Sequence, residues 1–301
     1  MFIIGGVISI LVAGMMVDVT SLATRSEVDD DDLPPDPPES DDALPPIMPD
    51  SPEPDPEPDT SSEPEEDDAL TGDLAIRGGA GDDELGGGDG ADLIEAGAGD
   101  DWVQGDLPYG PGSGDTIHGG AGNDSLAGQG GDDLVFGDEG DDTILGGEGN
   151  DSLFGGTGND WLSGNDGDDL LVSGGGADDL DGGAGDDILI GDDDPDTVWM
   201  NGGEGDDTLM PGAGDFASGN AGADLFELRG LHQDVPIIAD FNAAEDEILL
   251  HVPQDMIEGA RLSIREDEDG TTVIEVNDQA VGRLLQRGGL ELSHIRMIAG
   301  G

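Results

Sequence analysis

Between residues 78 and 227 an aspartate recurs at the sixth place of a nine-residue unit: Asp83, Asp92, Asp101, Asp115, Asp124, Asp133, Asp142, Asp151, Asp160, Asp169, Asp178, Asp187, Asp196, Asp207, Asp215 and Asp224. Glycines crowd the first, second and fourth places, where they permit positive φ and let backbone carbonyl oxygens approach closely. Carboxylates and carbonyls are hard donors. An oxygen-only cage built from flexible turns, with no nitrogen or sulfur, suits a cation of coordination number six to eight. That is calcium, in preference to zinc or to magnesium, which demands tighter octahedral geometry. The stretch holds 38 acidic residues and no Arg or Lys, so stacked aspartate rows would repel strongly unless a metal is part of the fold.

The elements that must position these groups follow from the period. Units such as GGAGDDELG, GQGGDDLVF, GDEGDDTIL and GNDGDDLLV run almost without interruption, and a short fixed repeat marks a solenoid whose units pack on their neighbours. The eighth place is apolar throughout, from Leu85, Ile94 and Val103 through Ile144, Leu153 and Leu162 to Leu209 and Phe226, with Ala217 the one small member. Places seven to nine are expected to form a very short strand with the eighth side chain inward, and the first six residues a turn. Stacked turns would repeat at about 4.8 Å, the strand spacing. Three places depart from the period: an insertion in residues 105–118, Asp194-Pro195 followed by two extra residues assigned to Met200 and Asn201, and a shortened unit at 211–218. The sites of Asp115, Asp196 and Asp215 are the ones these departures disturb.

GGAGNDSLA (119–127), GGEGNDSLF (146–154), GGTGNDWLS (155–163) and GGAGDDILI (182–190) resemble the RTX, or hemolysin-type, calcium-binding nonapeptide GGxGxDxUx, over about half of the chain. The resemblance implies an all-β, right-handed parallel β-roll, a calcium-stabilised solenoid. In it two units make one coil, turns lie along two opposite edges, and several Ca2+ ions sit between successive turns. It also implies that the sixteen aspartates donate carboxylate oxygens to the metal and turn carbonyls the rest.

The flanks divide the remaining chain. Residues 1–24 open with an uncharged apolar run, 1–17, that reads as either a signal peptide or a membrane-anchoring helix. Residues 25–77 are dominated by Pro, Asp and Glu and read as an extended, self-repelling, disordered linker. The β-roll is assigned to 78–227 and a small C-terminal β cap to 228–301, where PIIADF, DEILLHV, ARLSIRE, TTVIEV and AVGRLLQ alternate like strands. IIADFNAAEDEILL resembles the tail that often follows such repeats. Asp240 and Asp246 are thus candidates for completing the last calcium sites, or turn carboxylates of the cap, and the tail is a candidate signal for type I secretion machinery.

A net charge of −65 excludes nucleic acid and anionic lipid as electrostatic partners. His118, His232, His251 and His294 are scattered, no HExxH, GxSxG or P-loop spacing occurs, and no apolar segment outside the repeats is long enough for a catalytic domain. The expectation is a non-enzymatic, secreted, extracellular or cell-surface calcium-binding module of adhesive or structural use. The alternative is a non-catalytic member or fragment of a type I-secreted toxin or hydrolase system. Trp102, Trp161 and Trp199 fall at outward positions, where they would form a surface or glycan patch or pack beneath a neighbouring loop.

Overall fold

Alternation about the apolar eighth place builds a single interior column. Leu153, Leu162, Leu171, Leu180 and Leu189, like their counterparts from Ile94 to Phe226, are buried with at most 3% exposure, while the residues before and after each of them face outward. Each inward leucine or isoleucine contributes about 1.5–3 kcal/mol. The computed structural model describes residues 72–107, 112–229, 234–286 and 289–300. Successive strands alternate between two sheets that face each other across the column, so that one coil takes two units and residue i pairs in parallel with residue i+18, as in Leu153 with Leu171 and Leu162 with Leu180. One sheet has eleven strands, from Ala75–Arg77 to Ile295–Gly300, and the other twelve, from Glu84–Gly86 to Leu262–Glu266. Together they make a solenoid of about nine coils without an α-helix among the described residues.

The strands are longer than the sequence suggests. A typical one, Ser152–Thr157, takes in places seven to nine and then places one to three of the next unit, leaving only places four to six for the turn. The first-place glycine faces inward because it lies two residues beyond the eighth-place side chain, and Gly155 is accordingly buried. At the second place the strand bends through positive φ, as at Gly147 (131°) and Gly156 (115°), but Gln129, Asp138, Asn165 and Asn220 occupy the same place with φ of 66–84°. Asn and Asp tolerate this region and Gln does so poorly. Gln129→Gly is therefore expected to stabilise the folded chain by about 0.5–1 kcal/mol, read as a rise in the thermal midpoint; an unchanged or lower midpoint would show that the residue is unstrained.

The roll also begins before residue 78. Ala75–Arg77 pairs in parallel with Leu93, Ile94 and Glu95, so the last residues assigned to the linker form the first strand. Leu74 stands at the sixth place of that unit where every later unit but one has aspartate, which is why the period appears to start late. Residues 1–71, with the signal or anchor segment and most of the linker, lie outside the described residues. No helix among the described residues is long and apolar enough to cross a membrane.

The unit at 191–201 is corrected as well. Trp199 pairs with Asp179 and Met200 with Leu180, so Val198 occupies the sixth place and Met200, not Val198, is the inward eighth residue. The two extra residues are absorbed in the turn before Val198. The cap, finally, is continuous with the roll. Glu247–Pro253 pairs in parallel with Leu225–Arg229, and Ile295–Gly300 pairs in parallel with Glu247–Pro253, a last strand that the tail sequence does not advertise. Leu262–Glu266, Thr272–Val276 and Gln279–Leu284 form the antiparallel part.

Candidate metal centre

Positions four to six turn the chain at the two edges of the roll, and each edge carries one row of sixth-place aspartates. On one edge Leu74 N–H donates to Asp92 Oδ1 (2.7 Å), Asp92 N–H to Asp115, Asp115 to Asp133, and the chain continues through Asp151, Asp169, Asp187, Asp207 and Asp224 to Asp246. On the other, Asp83, Asp101, Asp124, Asp142, Asp160 and Asp178 are linked in the same way. Each aspartate after Asp83 therefore spends one oxygen on the backbone N–H of the coil before it, which fixes the side chain and points the other oxygen into the turn.

That second oxygen has no protein partner. In Asp92, Asp101, Asp115, Asp124, Asp133, Asp142, Asp151, Asp160, Asp169, Asp178, Asp187 and Asp207, Oδ2 is buried and accepts no hydrogen bond. A carboxylate oxygen removed from water without a partner is costly, so twelve in two ordered rows require a cation or a proton. The first-place glycines supply the room. A methyl group on Gly146 would fall 2.2 Å from Asp151 Oδ2 and 2.8 Å from Gly164 O, and one on Gly164 would fall 2.1 Å from Asp169 Oδ2 and 2.6 Å from Gly182 O. Carboxylate oxygen and backbone carbonyl thus converge beside most such glycines. Among the described residues no three acidic, histidine or cysteine side chains converge, so a cation held here takes most of its oxygens from turn carbonyls. These are calcium's preferred donors, and a flexible set of them accommodates its variable coordination. When bound, the ion supplies the positive charge that the rows lack.

The electrostatics agree. Burial, opposed by the backbone hydrogen bond and reinforced by neighbouring carboxylates, pushes Asp133 up to about 8, Asp115, Asp160 and Asp187 to about 7, and Asp142, Asp151, Asp169, Asp207 and Asp224 to about 6. A divalent cation in the turn reverses this by favouring the ionised form.

Of the sixteen aspartates, fourteen are buried in these rows. Asp115 is among them, because the insertion is accommodated in the loop and the strands on either side pair at a spacing of 23 residues with Leu93↔Thr116 and Trp102↔Ser125. Asp83, at the open end, is half-buried, and its Oδ2 accepts from Gly79 N–H (2.8 Å). Asp215 is buried, but its oxygens accept from Val198 N–H (2.9 Å) and Gly212 N–H (2.7 Å), which leaves no unpartnered oxygen. Asp196 is a correction: it is exposed, its N–H donates to Asp194 Oδ1 (2.7 Å), and Val198 fills its place in the row. Asp246 closes one row, accepting from Asp224 N–H (3.2 Å) and Asn242 N–H (2.6 Å), whereas Asp240 accepts from Gly219 and Asn220 N–H outside it.

Two features were not anticipated. Asp106, in the inserted loop, is 3% exposed, with Oδ2 accepting from Ser113 N–H (2.8 Å) and Oδ1 unpartnered. The Asp-after-Gly in GDLPYG was its only signal. The fifth place forms a second, exposed ladder in the opposite sense: Asn150 N–H donates to Asp132 Oδ1 (2.9 Å), Asp168 N–H to Asn150 Oδ1 (3.0 Å) and Asp186 N–H to Asp168 Oδ1 (2.9 Å). The recurring GDD and GND triplets carry that signal.

Comparison with known proteins gives the same assignment. Residues 76–107, 109–144, 145–180, 163–198 and 181–215 match the RTX calcium-binding nonapeptide repeat (4 copies). Among solved structures, the AlgE6R3 subunit from the Azotobacter vinelandii mannuronan C5-epimerase is 21% identical over 52% of this chain and 77% of its own, with a TM-score of 0.24. The extracellular lipase LipA from Serratia marcescens is 19% identical over 76% of this chain and 38% of its own, with a TM-score of 0.17. No curated protein matches the chain. With sixth-place aspartates in two rows, free carboxylate oxygens beside most first-place glycines and the family match over the same residues, residues 76–215 of this chain are RTX calcium-binding nonapeptide repeats.

Proposed function

We propose that this protein is an exported, non-enzymatic module that folds on binding several calcium ions outside the cytoplasm and serves a surface-associated, adhesive or structural role. The observation that carries the reading is the pair of rows of buried aspartates with unpartnered Oδ2 atoms in a chain of net charge −65. Such a roll cannot hold its ionised carboxylates without metal, and metal binding is then folding free energy. Extracellular calcium modules bind at about 10⁻⁴ to 10⁻³ M, which keeps the chain open where calcium is scarce and folds it where calcium is abundant. The apolar run at residues 1–17 is the proposed targeting or anchoring element, with the tail as the proposed address for type I secretion machinery.

Circular dichroism at neutral pH is expected to show coil in chelator and β-structure once millimolar calcium is added, reversibly. A chain already fully β-structured in chelator would refute the calcium-folding reading. Cell fractionation tests export separately: the protein is expected outside the cytoplasm, and unchanged location after deletion of residues 1–17 would transfer the targeting role to the C-terminal tail.

A further inference from the structure

We propose that the outer face of the twelve-stranded sheet carries a site for a quaternary ammonium ion, formed by Trp161, Asp179 and Trp199. The three residues lie side by side on adjacent strands, since Trp161 pairs in register with Asp179 and Asp179 with Trp199. They line a groove of about 530 Å³ whose other walls include Phe216 and Leu285, and no cationic side chain borders it. Both indoles are open to solvent, Trp161 by 44% and Trp199 by 53%.

The ring orientation follows from the next strand. Phe216 stacks on Trp199 with centroids 4.2 Å apart and planes 7° from parallel, so the indole plane stands across the strand-to-strand direction. Its second face is therefore turned toward Asp179 and, beyond it, Trp161. Two strand spacings separate the tryptophans, about 9.6 Å. A cation midway lies about 4.8 Å from each ring, inside the roughly 6 Å range of cation–π attraction. A trimethylammonium group fills such a gap, and an ordinary hydrated metal ion gains nothing from the aromatic faces. Directly below the gap stands the exposed carboxylate of Asp179, with Asp181 two residues along the same strand and the same face. A neutral sugar would use a ring face but not the carboxylate at the centre, whereas an anion would meet Asp179, Asp181 and the −65 charge of the chain. The occupant that uses all three groups is a small organic cation of the choline type, free in solution. This site lies on the sheet face, apart from the turns that hold the aspartate rows, and does not rest on the proposed role of the protein.

The test is a titration of the full chain in saturating calcium with choline, followed by tryptophan fluorescence in a Trp102→Phe background so that Trp161 and Trp199 report. The expected result is saturation at about 1–10 mM choline, with no saturation by 3,3-dimethyl-1-butanol, the uncharged isostere, at the same concentrations. Asp179→Asn is expected to weaken choline at least about fivefold and Trp161→Leu about tenfold or more, while the calcium-induced circular dichroism transition of both variants stays as in wild type because both side chains face outward. Equal binding of the uncharged isostere, or full retention of choline binding in Asp179→Asn, would overturn the proposal in favour of a plain apolar groove. A response to neutral oligosaccharides or to phosphatidylcholine vesicles, with none to free choline, would overturn it in favour of a glycan or a membrane surface.

Discussion

Asp151→Asn is expected to raise the calcium concentration at the midpoint of folding by roughly tenfold, a change of about 1.4 kcal/mol for each ion bound on folding, with Asp83→Asn shifting it far less and Ser152→Ala leaving it in place. The substitution keeps the Oδ1 acceptor for Asp133 N–H (2.8 Å) but replaces the unpartnered Oδ2 with an amide that cannot ligate a cation. Asp151 is in the middle of its row, with Asp133 before it and Asp169 after, so turns on both sides lose a shared donor. A terminal unit has one neighbour only, and in a solenoid stability is close to a sum of unit and nearest-neighbour terms. Asp83 is that terminal case on the other edge, and its Oδ2 is already engaged by Gly79 N–H. Leu153→Ala separates ligation from packing. Leu153 is fully buried, and removing it opens a cavity that costs about 2–5 kcal/mol without touching an oxygen donor. That variant should be destabilised whether the rows are neutralised by calcium or, in chelator, by acid, whereas Asp151→Asn should be impaired only in its response to calcium. Calcium titrations followed by circular dichroism decide the matter: equal midpoints for Asp151→Asn and Ser152→Ala would mean that the sixth place is not a ligand.

Much of this site is legible from spacing alone because the repeat couples two periodicities. A carboxylate two residues before an apolar side chain, repeated every nine, leaves few ways to bury one and present the other, so the inward column and the aspartate rows follow directly. What does not follow from single units is what happens between them. Inward burial of the first-place glycine extends each strand to six residues, as in Ser152–Thr157, and that depends on the next coil lying against it. The insertion at 191–201 can be written as two extra residues before or after Val198-Trp199, since both alignments place an apolar residue in the eighth place. Only pairing with Asp179 and Leu180 chooses between them, and it removes Asp196 from the row. Leu74 hid the first coil for the opposite reason, an apolar residue in a place where the period had promised a carboxylate. The parallel strand Ile295–Gly300 depends on a partner, Glu247–Pro253, that lies some 45 residues earlier in the chain, beyond any local signal.

The same buried rows give the metal-free chain an inverted response to acid. In chelator, β-structure is expected to be greatest near pH 4–5 and to be lost as the pH rises through about 6 to 8. The sign follows from the direction of the shifts. Asp133 at about 8, Asp115, Asp160 and Asp187 at about 7, and Asp142, Asp151 and Asp169 at about 6 all stand above the ordinary carboxylate value of 3.8 that the unfolded chain retains. The folded state therefore binds more protons than the unfolded one across that interval. The stability this contributes is complete below about 3.8 and disappears as pH passes the raised values. Protonation and calcium are then alternative ways of neutralising the same Oδ2 atoms, and because the unfolded carboxylates hold almost no protons above pH 6, lowering the pH from 8 to 6 should lower the calcium needed for folding while weakening calcium's hold on the roll already folded. General discharge of the −65 surface would also favour compaction in acid, but exposed carboxylates titrate near 4. The midpoint distinguishes the two. A transition between pH 6 and 8 that moves upward in Asp133→Asn belongs to the buried rows, whereas a midpoint near pH 4, indifferent to that substitution, would mean that the aspartates are solvated and that their burial does not drive the calcium requirement.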